Sequence, residues 1–265
     1  MVGDYMKICV YSKIGNGKNV CEDAAMVAGT IISDSYYEFQ TEQTHTVAIA
    51  DGVGGNAGGD FASRYVLDKL NAISMVDMTA EYLKQFVGGI NKELLYYAST
   101  ISGKENMATT LTGLIFTLDK GYMFHVGNTR VYGLQGNYLK QLTEDQTTYQ
   151  WLLNIGQIEA AEKCNKNEIT HCLGGGNTQY GSAVCVKEYD TLNAYKRLLL
   201  TTDGIHEYVS VDELEDFMSG ELSETTMQLL ADKAKRNGSS DDQTIIVIDR
   251  MWEYGIKISK ECNAL

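Results

Sequence analysis

The chain has 265 residues, 44% of them apolar, a formal net charge of −13 and a sequence pI of about 4.7. That length and apolar content are enough for one large domain with a substantial core. The acidity argues against a broad basic surface for nucleic acid or anionic lipid, and no run approaches the roughly 20 apolar residues of a membrane-spanning helix.

In chain order, residues 6–12 and 23–32 read as strands, and the short apolar run 46–50 as a strand buried on both faces. Residues 58–73 carry Phe61, Tyr65, Leu67, Leu70 and Ile73 at helical spacing, and a second helical stretch covers 79–100. From residue 109 the pattern becomes a strand meander over 110–118, 122–126, 130–134 and 138–142. Turns at Gly121, Gly127-Asn128 and Gly136-Asn137 predict antiparallel neighbours. Short helices are expected over 144–155 and 157–163, then a glycine-rich loop over 173–181. Strands follow at 182–188 and 197–201, helices at 211–217 and 224–236, and a last strong strand at 244–249. Alternation of Trp252, Tyr254, Ile256 and Ile258 adds a final edge strand and tail over 251–265. This order fits an α+β sandwich better than a parallel, doubly wound sheet. No linker divides the chain, so residues 1–265 are expected to form a single domain.

The six cysteines are scattered without a Cys-x-x-Cys pair, as expected of free thiols in a reducing compartment. The N-terminus lacks the regions of a signal peptide, and a cytoplasmic location is expected. Proline is absent altogether, against average usage of about 5%; no physical reason for this is evident.

Three segments place an aspartate at a strand end: 45–52 with Asp51-Gly52, 197–204 with Asp203-Gly204, and 241–248 with Asp241-Asp242. A carboxylate there, beside a glycine that frees the backbone carbonyl, suits a hard divalent cation, and several such ends at one sheet edge would form a two-metal site. Each has a plainer reading. Asp51-Gly52 could be a hairpin turn or a phosphate-cradling loop, Asp203 a helix N-cap, Asp241-Asp242 a turn, and Glu22-Asp23 a solvated acidic pair.

Taken together and in order, the motifs resemble the metal-dependent protein phosphatases of the type 2C family, bacterial type. They are Glu22-Asp23; the stretch 47–55 with Asp51-Gly52, followed by 59–63; Ala108-Thr109-Thr110-Leu111; 125–132; 142–146; 169–174; 200–205; and 238–244. The resemblance implies a four-layer α-β-β-α sandwich of two central antiparallel sheets flanked by helices. It also implies a binuclear Mn²⁺ or Mg²⁺ site at one end. Asp51 would bridge the metals, the Gly52 carbonyl would bind one, Asp203 and Asp241 would ligate the other, and Glu22 and Asp23 would hold metal-bound waters. A hydroxide between the metals would attack a phosphoserine or phosphothreonine ester. Residues 143–181 would form a substrate-side flap; the plainer reading is a surface excursion that does not touch substrate.

The rim departs from the family pattern. Lys18 stands where an arginine usually grips the phosphate, and lysine supplies charge without the bidentate fork. Asn128 and Glu207 occupy the positions of a third metal's ligands, and the neutral amide predicts a weak or empty third site. The usual proton-donor histidine is replaced by Val53 or Asn56. His206 could reach the site, though its plainer reading is a residue on a helix surface. The expected protein is a monomeric protein phosphatase acting on phosphoproteins, including a Hanks-type kinase and its substrates. The alternatives are a catalytically silent phosphatase-fold module that binds phosphoproteins, or a hydrolase of small phosphate esters.

Overall fold

Successive residues of a strand point to opposite faces, and in the central strands of this protein both faces are apolar. In the computed structural model, which describes residues 5–41, 45–53, 57–118, 120–176, 184–190 and 194–251, that property produces three stacked cores.

The chain begins with β1 (Tyr5–Lys13), β2 (Asp23–Val27), β3 (Thr30–Ile32), β4 (Tyr36–Thr41) and β5 (His45–Asp51), then α1 (Gly59–Leu70) and α2 (Ala80–Ser99). There follow β6 (Ala108–Thr109), β7 (Leu111–Phe116), β8 (Gly121–Val126), β9 (Arg130–Gln135) and β10 (Tyr138–Gln141). The remainder is α3 (Thr148–Asn154), α4 (Ile158–Ala161), β11 (Leu173–Gly174), β12 (Cys185–Tyr189), β13 (Arg197–Thr201), α5 (Asp203–His206), α6 (Val211–Ser219), α7 (Glu224–Arg236) and β14 (Gln243–Met251).

One six-stranded sheet has the order β10-β9-β13-β14-β1-β4 and the other β12-β8-β7-β5-β2-β3; every pairing is antiparallel. Ile8, Val10, Ile246 and Ile248 of the first sheet meet Ala25, Val27, Val47 and Ile49 of the second in the central core. Their neighbours Cys9, Tyr11, Ile245 and Val247 face the other way, onto Leu214, Met218, Met227 and Leu230 of α6 and α7. On the far side of the second sheet, Ala24, Met26, Ala48 and Ala50 pack against α1 and α2. The alanines let the helices sit close. The result is the α+β four-layer α-β-β-α sandwich that the resemblance implied. Among the described residues no helix is long and apolar enough to cross a membrane.

Two expectations need correction, and one strand is unexpected. Residues 23–32 are a hairpin, not one strand, because Ala28 and Gly29 both take positive φ (47° and 84°) and reverse the chain in two residues. The half-exposed edge strand β4 has too little apolar alternation to be read from sequence. The meander over 110–142 is split: β7–β8 and β9–β10 pair, but β8 and β9 lie in different sheets. The connection at 127–129 is a crossover, with Gly127 at φ 108° and so close to Thr110 that a Cβ would lie 2.6 Å from its Cγ2. Beyond Met251, the expected edge strand and tail lie outside the described residues.

Candidate active site

The sandwich brings separate strand ends to one edge. In the second sheet β2 begins at Asp23 directly across from Asp51, where β5 ends. In the first sheet β13 ends at Thr201 and leads through Thr202 into Asp203, while β14 starts at Gln243, just after Asp241-Asp242. The sheets are stitched together here: Thr202 Oγ1 and Thr244 Oγ1 donate to Asp23 Oδ2 at 2.9 and 2.8 Å.

The Asp-Gly pairs owe their glycines to close backbone approach. A Cβ on Gly52 would lie 2.5 Å from the Gly59 carbonyl carbon, and one on Gly204 would lie 2.0 Å from the Asp242 carbonyl oxygen. Gly52 N–H donates to the Glu22 carbonyl at 3.1 Å, and the Asp51 carbonyl accepts from Thr109 Oγ1 at 2.9 Å and Thr110 N at 2.8 Å. With its backbone thus held, Asp51 has its side chain aimed at the edge. The helix cap at α5 is Thr202, so Asp203 is the first helical residue and its carboxylate caps nothing.

Electrostatically the edge holds more negative than positive charge. Burial, and then repulsion from Asp242, pushes the Asp23 carboxyl well above the usual carboxylate range. Asp51 is raised by burial and by Asp23, Asp203 and Asp241 together. Asp203 is raised by burial and Asp241, against a pull downward from the Asn128 amide, which donates to its Oδ2 at 3.1 Å. Asp23 Oδ1 and Asp203 Oδ1 are buried without a hydrogen-bond partner, an arrangement that costs roughly 1–3 kcal/mol or more per charged group. An oxygen-only donor set with orphaned carboxylate oxygens fits hard divalent cations such as Mg²⁺ or Mn²⁺. Among the described residues, no three acidic, histidine or cysteine side chains close into a ready-made cage.

Lys18 takes up part of the deficit. Its Nζ donates to Asp242 Oδ2 at 3.0 Å, approaches Glu22 Oε2 at 3.5 Å and forms a close pair with Asp241 Oδ1. Burial opposes its charge, but the hydrogen bonds to Asp241 and Asp242 prevail and raise its pKa. Asp242 is the residue that sequence reasoning undervalued. Almost fully buried, it accepts from Gly15 N at 2.6 Å and Glu22 N at 2.8 Å as well as from Lys18, and so pins the loop that carries Lys18 and Glu22. Its neighbour Asp241 is 47% exposed. Adjacent side chains at a strand start face opposite ways, a signal that one of two neighbouring aspartates would turn inward.

Glu207, read as a third-metal group, lies 3.5 Å from Arg130 Nη2. His206 is buried, not on a helix surface; its Nδ1 pairs with Thr201 Oγ1 at 2.9 Å, and burial followed by the Arg130 charge keeps the ring neutral. Gly54, Gly55 and Asn56 lie outside the described residues.

Beside Val53, two positions past Asp51, a cavity of about 720 Å³ opens against residues 144–175, with Trp151, Ile169, Thr170 and Cys172 in its wall. The two limbs of that excursion are tied at its base by Thr148 N to the Glu168 carbonyl at 2.9 Å and Thr170 N to the Gln146 carbonyl at 2.7 Å.

The sequence profile described as Protein phosphatase 2C matches residues 21–239, which takes in all of these acidic groups except Asp241 and Asp242. The chain belongs to the protein phosphatase 2C family. Members of this family are metal-dependent, using manganese or magnesium. Among its relatives within the family, serine/threonine phosphatase stp of Listeria welshimeri is 30% identical over 217 residues, covering 77% of this chain and 84% of the relative. PstP of Mycobacterium tuberculosis is 29% identical over 217 residues, 79% of this chain and 41% of that longer protein. The fold matches the crystal structure of Stp1 from Staphylococcus aureus with a TM-score of 0.78 at 24% identity, over 92% of this chain and 95% of that one. It also matches the M. tuberculosis PstP structure with a TM-score of 0.76 at 24% identity, over 94% and 100%.

Proposed function

We propose that this protein is a serine/threonine protein phosphatase in which Asp51 would be shared by two divalent cations, the Gly52 carbonyl would serve one, and Asp203 and Asp241 would serve the other. Glu22 and Asp23 complete the set through water. The observation that carries the reading is the meeting of Asp23, Asp51 and Asp203 at strand ends of both sheets, with buried carboxylate oxygens left unpaired. Bound there, Mn²⁺ or Mg²⁺ supplies a hydroxide equivalent near neutral pH and neutralises the charge that grows on the phosphoryl oxygens.

The chain's own residues do the rest. Asp242 holds Lys18 beside Asp241, where its ammonium can meet a phosphate oxygen as a single point of charge. The cavity beside Val53 receives the peptide that carries the phosphate, with residues 143–181 as the flap. Asn128 and Glu207 both have protein partners, which supports a weak third metal site. No cysteine nucleophile enters, and no protein side chain is assigned the leaving-group proton. Residues 1–265 act as one catalytic domain, a cytoplasmic monomer acting on phosphoproteins that include a Hanks-type kinase and its substrates.

Retention of carboxylates at 51, 203 and 241 favours catalysis over a silent binding module. Mn²⁺-dependent hydrolysis of a phosphothreonine peptide and of p-nitrophenyl phosphate, with Asp203→Asn as control, tests this. Turnover of the peptide at higher kcat/KM than the small ester is expected. Equal or absent turnover of the peptide contradicts it.

A further inference from the structure

We propose that Arg130 is a positioning residue that holds the base of the flap in register with the helix carrying Asp203. Arg130 opens β9 immediately after the 127–129 crossover between the sheets. Its Nε donates to Asp145 Oδ1 at 2.9 Å and Oδ2 at 3.0 Å, and its Nη2 to Oδ2 at 2.6 Å. Nη1 reaches the Tyr132 hydroxyl at 3.3 Å, and Nη2 lies 3.5 Å from Glu207 Oε1. Asp145 stands at the root of the flap. Glu207 directly follows α5, whose first residue is Asp203. One guanidinium, 20% exposed, therefore touches both.

The rest of the crossover repeats this two-sided arrangement. Toward the flap, Gly127 N donates to Gln146 Oε1 at 2.9 Å, the Gly127 carbonyl accepts from Gln146 N at 2.8 Å, and His125 Nε2 pairs with the Glu144 carbonyl at 3.0 Å. Toward the acidic edge, Asn128 donates to Asp203. Both groups of contacts belong to residues 125–130, the end of β8, the crossover and the first residue of β9, which couples the flap root to Asp203. Arginine suits the position because its planar fork meets both oxygens of Asp145 and still leaves Nη2 within 3.5 Å of Glu207. A lysine could offer the charge but not the fixed angle.

This inference rests on the reading of residues 143–181 as the substrate-side flap. It is tested with Arg130→Gln, Arg130→Lys and Asp145→Asn, each at saturating Mn²⁺. Misplacement of a substrate-binding element by a fraction of an ångström to an ångström costs on the order of 10- to 100-fold in rate. Arg130→Gln is expected to lower kcat/KM for a phosphothreonine peptide by about that factor, mainly through KM, and to lower it much less for p-nitrophenyl phosphate, which does not span the flap. Arg130→Lys is expected to recover only part of the loss. Independently of activity, amide exchange over residues 148–170 should quicken while exchange in β7 and α2 stays as in the parent, and calorimetric Mn²⁺ affinity should weaken several-fold. Equal losses on both substrates, or unchanged exchange over 148–170, overturns the proposal. Should Arg130→Gln fail to fold, Asp145→Asn carries the same comparison. A wild-type protein without phosphatase activity would instead refute the function, and the exchange measurement would still decide the role of Arg130.

Discussion

Replacing Asp203 by Asn is predicted to stabilise the metal-free protein and to remove much of the stabilisation given by metal. Asp203 Oδ1 is buried and unpartnered, and the carboxyl is held above its usual pKa by burial and by Asp241. Replacing the carboxylate by a neutral amide removes the burial of a charge and its repulsion from Asp241, relieving roughly 1–3 kcal/mol. At roughly 2–4 °C per kcal/mol for a chain of this size, the metal-free melting temperature should rise by about 2–12 °C. Wild-type protein with Mn²⁺ at a hundredfold excess over Kd should gain about 2.7 kcal/mol for each ion bound, and Asp203→Asn should lose most of that gain for one ion. Differential scanning calorimetry in EDTA and in MnCl₂ reads both effects. A variant less stable than wild type in EDTA, yet equally stabilised by Mn²⁺, would refute the view that Asp203 is an uncompensated charge awaiting a cation.

Three further predictions concern the surroundings. Gly204→Ala places a Cβ 2.0 Å from the Asp242 carbonyl oxygen and should cost about 1–3 kcal/mol in urea unfolding, or more; an unchanged midpoint would show the approach to be looser than described. Lys18→Ala should raise the KM for a phosphopeptide about tenfold, the loss of one charge-assisted contact, and unchanged steady-state kinetics would remove Lys18 from the site. His125 is buried, which lowers its pKa from 6.5 to about 4, so the folded state takes up its proton later than the unfolded state. Its contribution is intact above about pH 6.5 and is lost as pH falls toward 4, at most about 3 kcal/mol, and a His125→Gln variant should lack that part of the acid sensitivity in pH-resolved urea unfolding. A parent and variant with the same pH slope would contradict this.

The inner acidic residues were legible because the chemistry repeats locally. A strand, an aspartate and a glycine occur together at both 51 and 203, and the glycine requirement comes from a backbone neighbour within 3 Å at each. What escaped sequence reasoning depends on tertiary register. Which of Asp241 and Asp242 turns inward is settled by the pairing of Gln243 with Lys13, which seats Asp242 under the Gly15 and Glu22 amides. The crossover at 127–129 has the length and glycine of a hairpin, and only the crowding of Gly127 by Thr110 distinguishes it. Arg130 reads as part of a motif, but its carboxylate partners lie 15 and 77 residues away. His206 was misread because a four-residue helix has no periodicity from which burial can be inferred. The hairpin turn at Ala28 was hidden because a non-glycine residue rarely adopts positive φ.

Anomalous scattering from a crystal grown with MnCl₂ tests the central claim most directly. Two strong peaks are expected flanking the Asp51 carboxylate, one beside the Gly52 carbonyl and the other contacted by Asp203 and Asp241, with little or none between Asn128 and Glu207. A single peak, or manganese bound away from Asp51, would contradict it.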